Sequence, residues 1–122
     1  MDEHRSRRVS EALREELSEI IGFEMDDPRL AAVDVAAVLL SPDARHATVA
    51  VGLGGSEQEK AQALTTLEHA RHYLRRELAR RLNFRRMPEL HFESGAGADI
   101  DSRIEILLKR AKKRRGSAEN QP

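Results

Sequence analysis

The sequence predicts an α+β domain in which one sheet layer has helices covering one of its faces. Three observations carry that prediction. Three separate stretches repeat apolar residues at spacings of three and four, the period of a helix with one buried side. Two others alternate apolar with polar or small residues, the period of a strand half in a core. A short β-branched run completes the chain order helix, strand, strand, helix, helix, strand, helix.

The first helix is predicted from Arg7 to Ile21, where Val9, Leu13, Leu17, Ile20 and Ile21 form one stripe. Glu11, Arg14, Glu15 and Glu19 fall on the other faces. Gly22 is the expected C-terminal breaker, and Asp27-Pro28 resists continuation because the residue before proline avoids the α region. The run D-V-A-A-V-L-L over residues 34–40 then predicts a strand. Ser41-Pro42-Asp43 has turn chemistry, with φ fixed by proline and hydrogen-bonding side chains on either side. In the 46–53 segment Ala47, Val49, Val51 and Leu53 alternate with His46, Thr48, Ala50 and Gly52, so the two strands make a β-hairpin.

Gly54-Gly55-Ser56 ends the hairpin, and Ser56 with Glu59 reads as a capping box opening the next helix. Ala61, Leu64, Leu67, Ala70, Leu74, Leu78 and Leu82 continue one apolar stripe with no Gly or Pro to stop it. Unbroken from Glu57 to Asn83, that helix would be about 40 Å long, more than a domain of this size can cover. Either the helix protrudes or it bends at the small residue Ala70, and the bend is the expectation. Met87-Pro88 closes the region, and residues 89–93 predict a third strand with Leu90 and Phe92 facing inward. Ile100, Ile104, Leu107 and Leu108 mark a last helix. Residues 1–110 are thus read as one domain, and 111–122 as a basic, then polar, disordered tail.

With 39% apolar residues, 3% aromatics and no Trp, the core must be aliphatic. No cysteine is present, which excludes disulfides and thiolate metal sites. The N-terminal segment lacks an apolar run of signal length, and no stretch approaches a membrane span, so a cytoplasmic protein is expected. Formal charge is zero overall but segregated. Residues 1–60 hold 7 basic and 13 acidic side chains, whereas residues 61–122 hold 14 and 8.

The densest basic stretch, R-H-Y-L-R-R-E-L-A-R-R-L-N-F-R-R, sets seven arginines against one glutamate between Arg71 and Arg86. On a helical wheel His69, His72, Arg76, Arg80 and Asn83 lie opposite Leu67, Leu74, Leu78 and Leu82. Arg71 and Arg75 flank that ridge, Arg81 borders the apolar stripe, and Arg85 and Arg86 lie at the exit. Arginine's planar fork pairs with phosphate, so the ridge is the candidate polyanion-binding surface. Its long stems also cover apolar edges, the purely structural use of the same residues. A second cluster containing Lys109, Lys112 and Lys113 extends the footprint, although cations at a helix C-terminus also complement the dipole.

Catalytic patterns are missing. The glycines of G-L-G-G and G-A-G lack the lysine and strand–loop–helix order of a phosphate loop. Asp99, Asp101 and Glu105 suit the positive end of a helix better than a catalytic carboxylate pair. His69 and His72 share a helix face, but no third ligand is placed beside them. No catalytic residue, metal site or cofactor is predicted.

Taken together, several stretches resemble the bacterial ribosome-binding factor A family. They are R-V-S-E-A-L-R-E-E-L-S-E-I-I, D-D-P-R-L, L-S-P-D-A-R-H-A-T-V-A-V, A-R-H-Y-L-R-R-E-L-A-R-R-L, M-P-E-L-H-F and R-I-E-I-L-L, spread over about residues 5 to 108. The resemblance implies a type II KH-like fold, helix–strand–strand–helix–helix–strand with a further C-terminal helix. It also implies a non-enzymatic assembly factor that binds the small ribosomal subunit and its 16S rRNA late in maturation and rRNA processing. The expected partners are that subunit and its RNA, with no membrane and a monomer when free. A protein-interaction module using the acidic N-terminal half, without direct RNA binding, is the alternative. Where the family carries an Ala-x-Gly kink between its central helices, this chain reads Ala70-Arg71-His72.

Overall fold

A computed structural model describes residues 3–95. Helix α1 spans Glu3–Glu19 and runs into a π-helical turn, Ile20–Glu24. A 3₁₀ turn at Pro28–Leu30 leads to β1 (Val33–Leu40) and β2 (His46–Leu53). Helices α2 (Glu57–His69) and α3 (Arg71–Arg81) follow, and β3 (Glu89–Gly95) closes the described chain. This is the α+β order that the periodicities predict. The expected last helix, the tail and Lys109, Lys112 and Lys113 lie outside the described residues.

The three strands are ordered β1-β2-β3, with β1 antiparallel to β2 and β3 parallel to it. A parallel pair needs a crossover connection, and α2 with α3 supplies it. Leu13, Leu17, Ile20, Val49, Val51, Leu67, Leu74, Leu78 and Leu90 are fully buried between the sheet and the helices. Truncating such a leucine to alanine costs about 2–5 kcal/mol. Leu90 and Phe92 are both buried, as their alternation requires.

In β1 the register slips between Val35 and Ala37, so Ala36 is an extra residue opposite β2. A one-residue slip reverses which face a side chain takes. Val35 and Val38, three positions apart, can therefore both be buried.

The hairpin turn is built as its composition suggests. The Ala44 N–H donates to the Ser41 carbonyl at 2.9 Å, and Asp43 accepts from the Ser41 hydroxyl at 2.6 Å and from the Arg45 N–H at 3.0 Å. Ala44 takes a left-handed conformation, φ +59°.

Two helix ends depart from simple capping. Gly22 does not stop α1, because the helical path continues through it to Met25, whose N–H donates to the Ile20 carbonyl at 2.9 Å. Ile20 and Ile21 anchor that turn in the core, and Asp26 supplies the left-handed residue (φ +48°) expected of a glycine. At Ala70 the long helical run does break. Its φ of −88° and ψ of 1° leave the α region, while its N–H still donates to the Thr66 and Leu67 carbonyls. The break forms with His72 where the resembling family has glycine.

Candidate nucleic-acid interface

Helix α3 presents the arginine ridge because Leu74 and Leu78 hold its opposite side in the core. Ser56 starts the helical pair firmly. Its hydroxyl accepts from the Glu59 N–H, and the Glu59 carboxylate accepts from the Ser56 N–H, both at 3.1 Å. Those bonds hold the Glu59 carboxyl below its ordinary range.

The structure sorts the predicted arginines into three groups. His72, Arg76, Arg85 and Arg86 are exposed, and none of these side chains makes a hydrogen bond or ion pair among the described residues. Arg80 joins them. Its side chain is 76% exposed, and its one partner is Glu77 on the same helix, at 3.1 Å.

Arg71 and Arg75 are partly committed to the scaffold. Arg75 Nη2 donates to the Met87 carbonyl at 2.9 Å, which ties the segment carrying Arg85 and Arg86 back against α3. Arg71 follows the helix break directly. Its Nη1 lies 3.6 Å from Glu68, and its Nε is buried with no acceptor. That guanidinium retains unused donor capacity.

Arg81 belongs to neither group, and the structure separates it from the exposed ridge. Its Nη2 donates to Glu24 Oε1 at 2.6 Å, and its Nη1 lies 2.5 Å from Glu24 Oε2 and 3.7 Å from Glu16. Glu77 stands 3.6 Å from Nη2. The hydrogen bond to Glu24 pushes the guanidinium pKa up and holds the Glu24 carboxyl down. The side chain is 27% exposed and ties α3 to α1 and the π-helical turn. Its position bordering the apolar stripe was the available signal. Its acidic partners, Glu16 and Glu24, were not visible from α3 alone.

Sequence reasoning also missed a cluster on the sheet. His46 stands directly across from Glu89 in the β2–β3 register, and His91 is two residues further along β3. His46 Nδ1 is 3.0 Å from His91 Nε2 and 3.8 Å from Glu89 Oε2. Strand alternation could place each residue on an outward face. Only the parallel register brings them together. His69 and His72, the histidine pair visible in the sequence, gain no third ligand among the described residues. No helix among those residues is long and apolar enough to cross a membrane.

Comparison with known proteins agrees with the fold. The family model described as ribosome-binding factor A matches residues 5–108. The chain is 54% identical over 120 residues to ribosome-binding factor A of Solibacter usitatus, covering 98% of each chain. It is 39% identical over 115 residues to that of Thermomicrobium roseum, covering 94% of this chain and 89% of the relative. The crystal structure of ribosome-binding factor A from Thermus thermophilus aligns with a TM-score of 0.66 and 35% identity, covering 73% of this chain and 94% of the other. A homology model of Thermus thermophilus ribosome-binding factor A, fitted into the cryo-EM map of a 30S complex, aligns at 0.57 with 36% identity, covering 76% of this chain and 93% of the other. The chain belongs to the ribosome-binding factor A family.

Proposed function

We propose that this chain is a cytoplasmic ribosome assembly factor that binds the small subunit through its 16S rRNA during late maturation and rRNA processing. Family membership makes ribosome assembly its general role, and the family is non-enzymatic. The finer reading rests on one observation: His72, Arg76, Arg80, Arg85 and Arg86 are all exposed and are hardly used by the fold itself. A relative fitted into the map of a 30S complex supports the choice of partner. On this reading the KH-like domain acts physically, as a monomer before it docks. Phosphate pairing along α3 positions it and holds one RNA conformation. Arg76 and Arg80 are about 6 Å apart along the helix axis, close enough to follow one backbone.

The alternative, an acidic N-terminal half that meets a basic partner, is less favoured. Several of those acids are already paired within the chain, Glu11 with Arg14, Glu24 with Arg81 and Asp27 with Arg29. The test is co-sedimentation with purified small subunits at two salt concentrations. Arg76→Glu with Arg80→Glu should lose binding while unfolding stays cooperative, and Glu11→Arg with Glu15→Arg should not weaken it. Unchanged binding by the arginine variant at both salts would overturn the assignment of the ridge.

A further inference from the structure

We propose that His46, Glu89 and His91 form a binding site for a divalent transition metal, with zinc the ion that fits best. Two imidazoles and a carboxylate are a donor set suited to zinc, and sites with three protein ligands keep a fourth position for water. The three ligand atoms lie within 4.8 Å of one another. At zinc–nitrogen distances near 2.0–2.1 Å, tetrahedral donors stand about 3.3 Å apart. The observed separations, 3.0 Å between the imidazole nitrogens and 3.8 Å from His46 to Glu89, bracket that value. The Glu89 and His91 ligand atoms stand within 4.8 Å, so admitting the ion requires the two rings and the carboxylate to turn toward a common point.

The backbone arrangement favours the same conclusion. His46 and Glu89 are a cross-strand pair, while Glu89 and His91 alternate onto one face of β3, away from buried Leu90 and Phe92. Ligands carried on paired strands are held more precisely than ligands on loops. The His46 and Glu89 side chains are 45% and 50% exposed, so an ion can enter from solvent.

Without metal, the short contact between the two imidazoles is an N–H···N hydrogen bond, donated by one ring. On coordination that proton moves, through solvent, to the outward nitrogen of the same ring. Both facing nitrogens then offer lone pairs, with no change in net protonation or oxidation state. The bound ion would tie β3 to β2 independently of the arginine ridge.

The experiment is calorimetric titration of the full chain with zinc chloride in a non-coordinating buffer, with cobalt(II) absorption as a geometric readout. One ion per chain and a four-coordinate cobalt spectrum are expected. Losing a group that merely orients a ligand costs roughly 10- to 100-fold in metal affinity, so His46→Ala and His91→Ala should each cost at least that much. Thermal unfolding should rise with zinc in the parent and not in these variants. Far-UV circular dichroism checks that each variant folds. If His46→Ala does not, His91→Gln and Glu89→Gln carry the same comparison. Binding that survives loss of His46 and His91, or that is lost instead in His4→Ala or His69→Ala, overturns the site.

Discussion

Arg81 and Glu24, 57 residues apart, meet through two guanidinium–carboxylate contacts that tie α3 to the turn ending α1. An arginine within a run of RNA-facing candidates is thereby committed to holding the helix in place. Arg81→Gln should lower the melting temperature by a few degrees while leaving small-subunit affinity close to that of the parent. The loss should shrink at high salt, because screening already weakens partly exposed pairs in the parent. Thermal scans at two ionic strengths beside a binding assay check both halves.

Salt should separate the exposed arginines from the committed ones in a second way. Each phosphate neutralised contributes about 0.7–0.9 to the slope of log affinity against log salt concentration. Arg76→Ala should therefore reduce that slope by about one, and Arg81→Gln should leave it unchanged. Filter binding to a 16S rRNA fragment across a salt series measures it.

Ala44 closes the β1–β2 turn with φ +59°. For an L-residue this conformation costs about 1–2 kcal/mol. Glycine avoids that cost but adds freedom to the unfolded chain, a loss of about 0.4–1 kcal/mol. Ala44→Gly should thus stabilise the protein by roughly 0.5–1 kcal/mol, read as a higher urea midpoint with an unchanged slope.

Acid should loosen the same turn. The Ser41 hydroxyl, and then the Arg45 N–H, hold the Asp43 carboxyl below its ordinary range, as Arg81 does for Glu24 and Arg29 for Asp27. A carboxyl with a lowered folded-state pKa stabilises the fold above its unfolded value, roughly pH 4. That contribution disappears as pH falls through the lowered value. Stability should therefore be flat near neutrality and fall in the acid range, less steeply for Asp43→Asn. Urea unfolding at a series of pH values tests this.

Features set by neighbours in sequence were legible before the structure. The capping box at Ser56 and the Pro42 turn each depend on a few adjacent residues and formed where their chemistry indicated, while the break at Ala70 was legible from the length of the helical run. The bulge at Ala36 and the passage of helix through Gly22 were not legible, because tertiary burial of Val38 and of Ile20 and Ile21 decides them. The candidate interface divides the same way. Exposure of Arg76 and Arg80 follows from helical period, whereas Arg81's partners and the His46–Glu89–His91 cluster depend on contacts between residues far apart in the chain.

The parallel pairing of β3 with β2 has a kinetic meaning. The β1–β2 hairpin closes over a loop of a few residues, but His46 must wait for Glu89, on the far side of two helices. Closing the longer loop carries the larger entropic penalty, so the hairpin is the natural early structure and β3 the late arrival. Met87, whose carbonyl holds Arg75, sits two residues before that strand. The outward arrangement of Arg85 and Arg86 is thus among the last things the chain acquires, and a partly folded molecule would carry the right residues without presenting them.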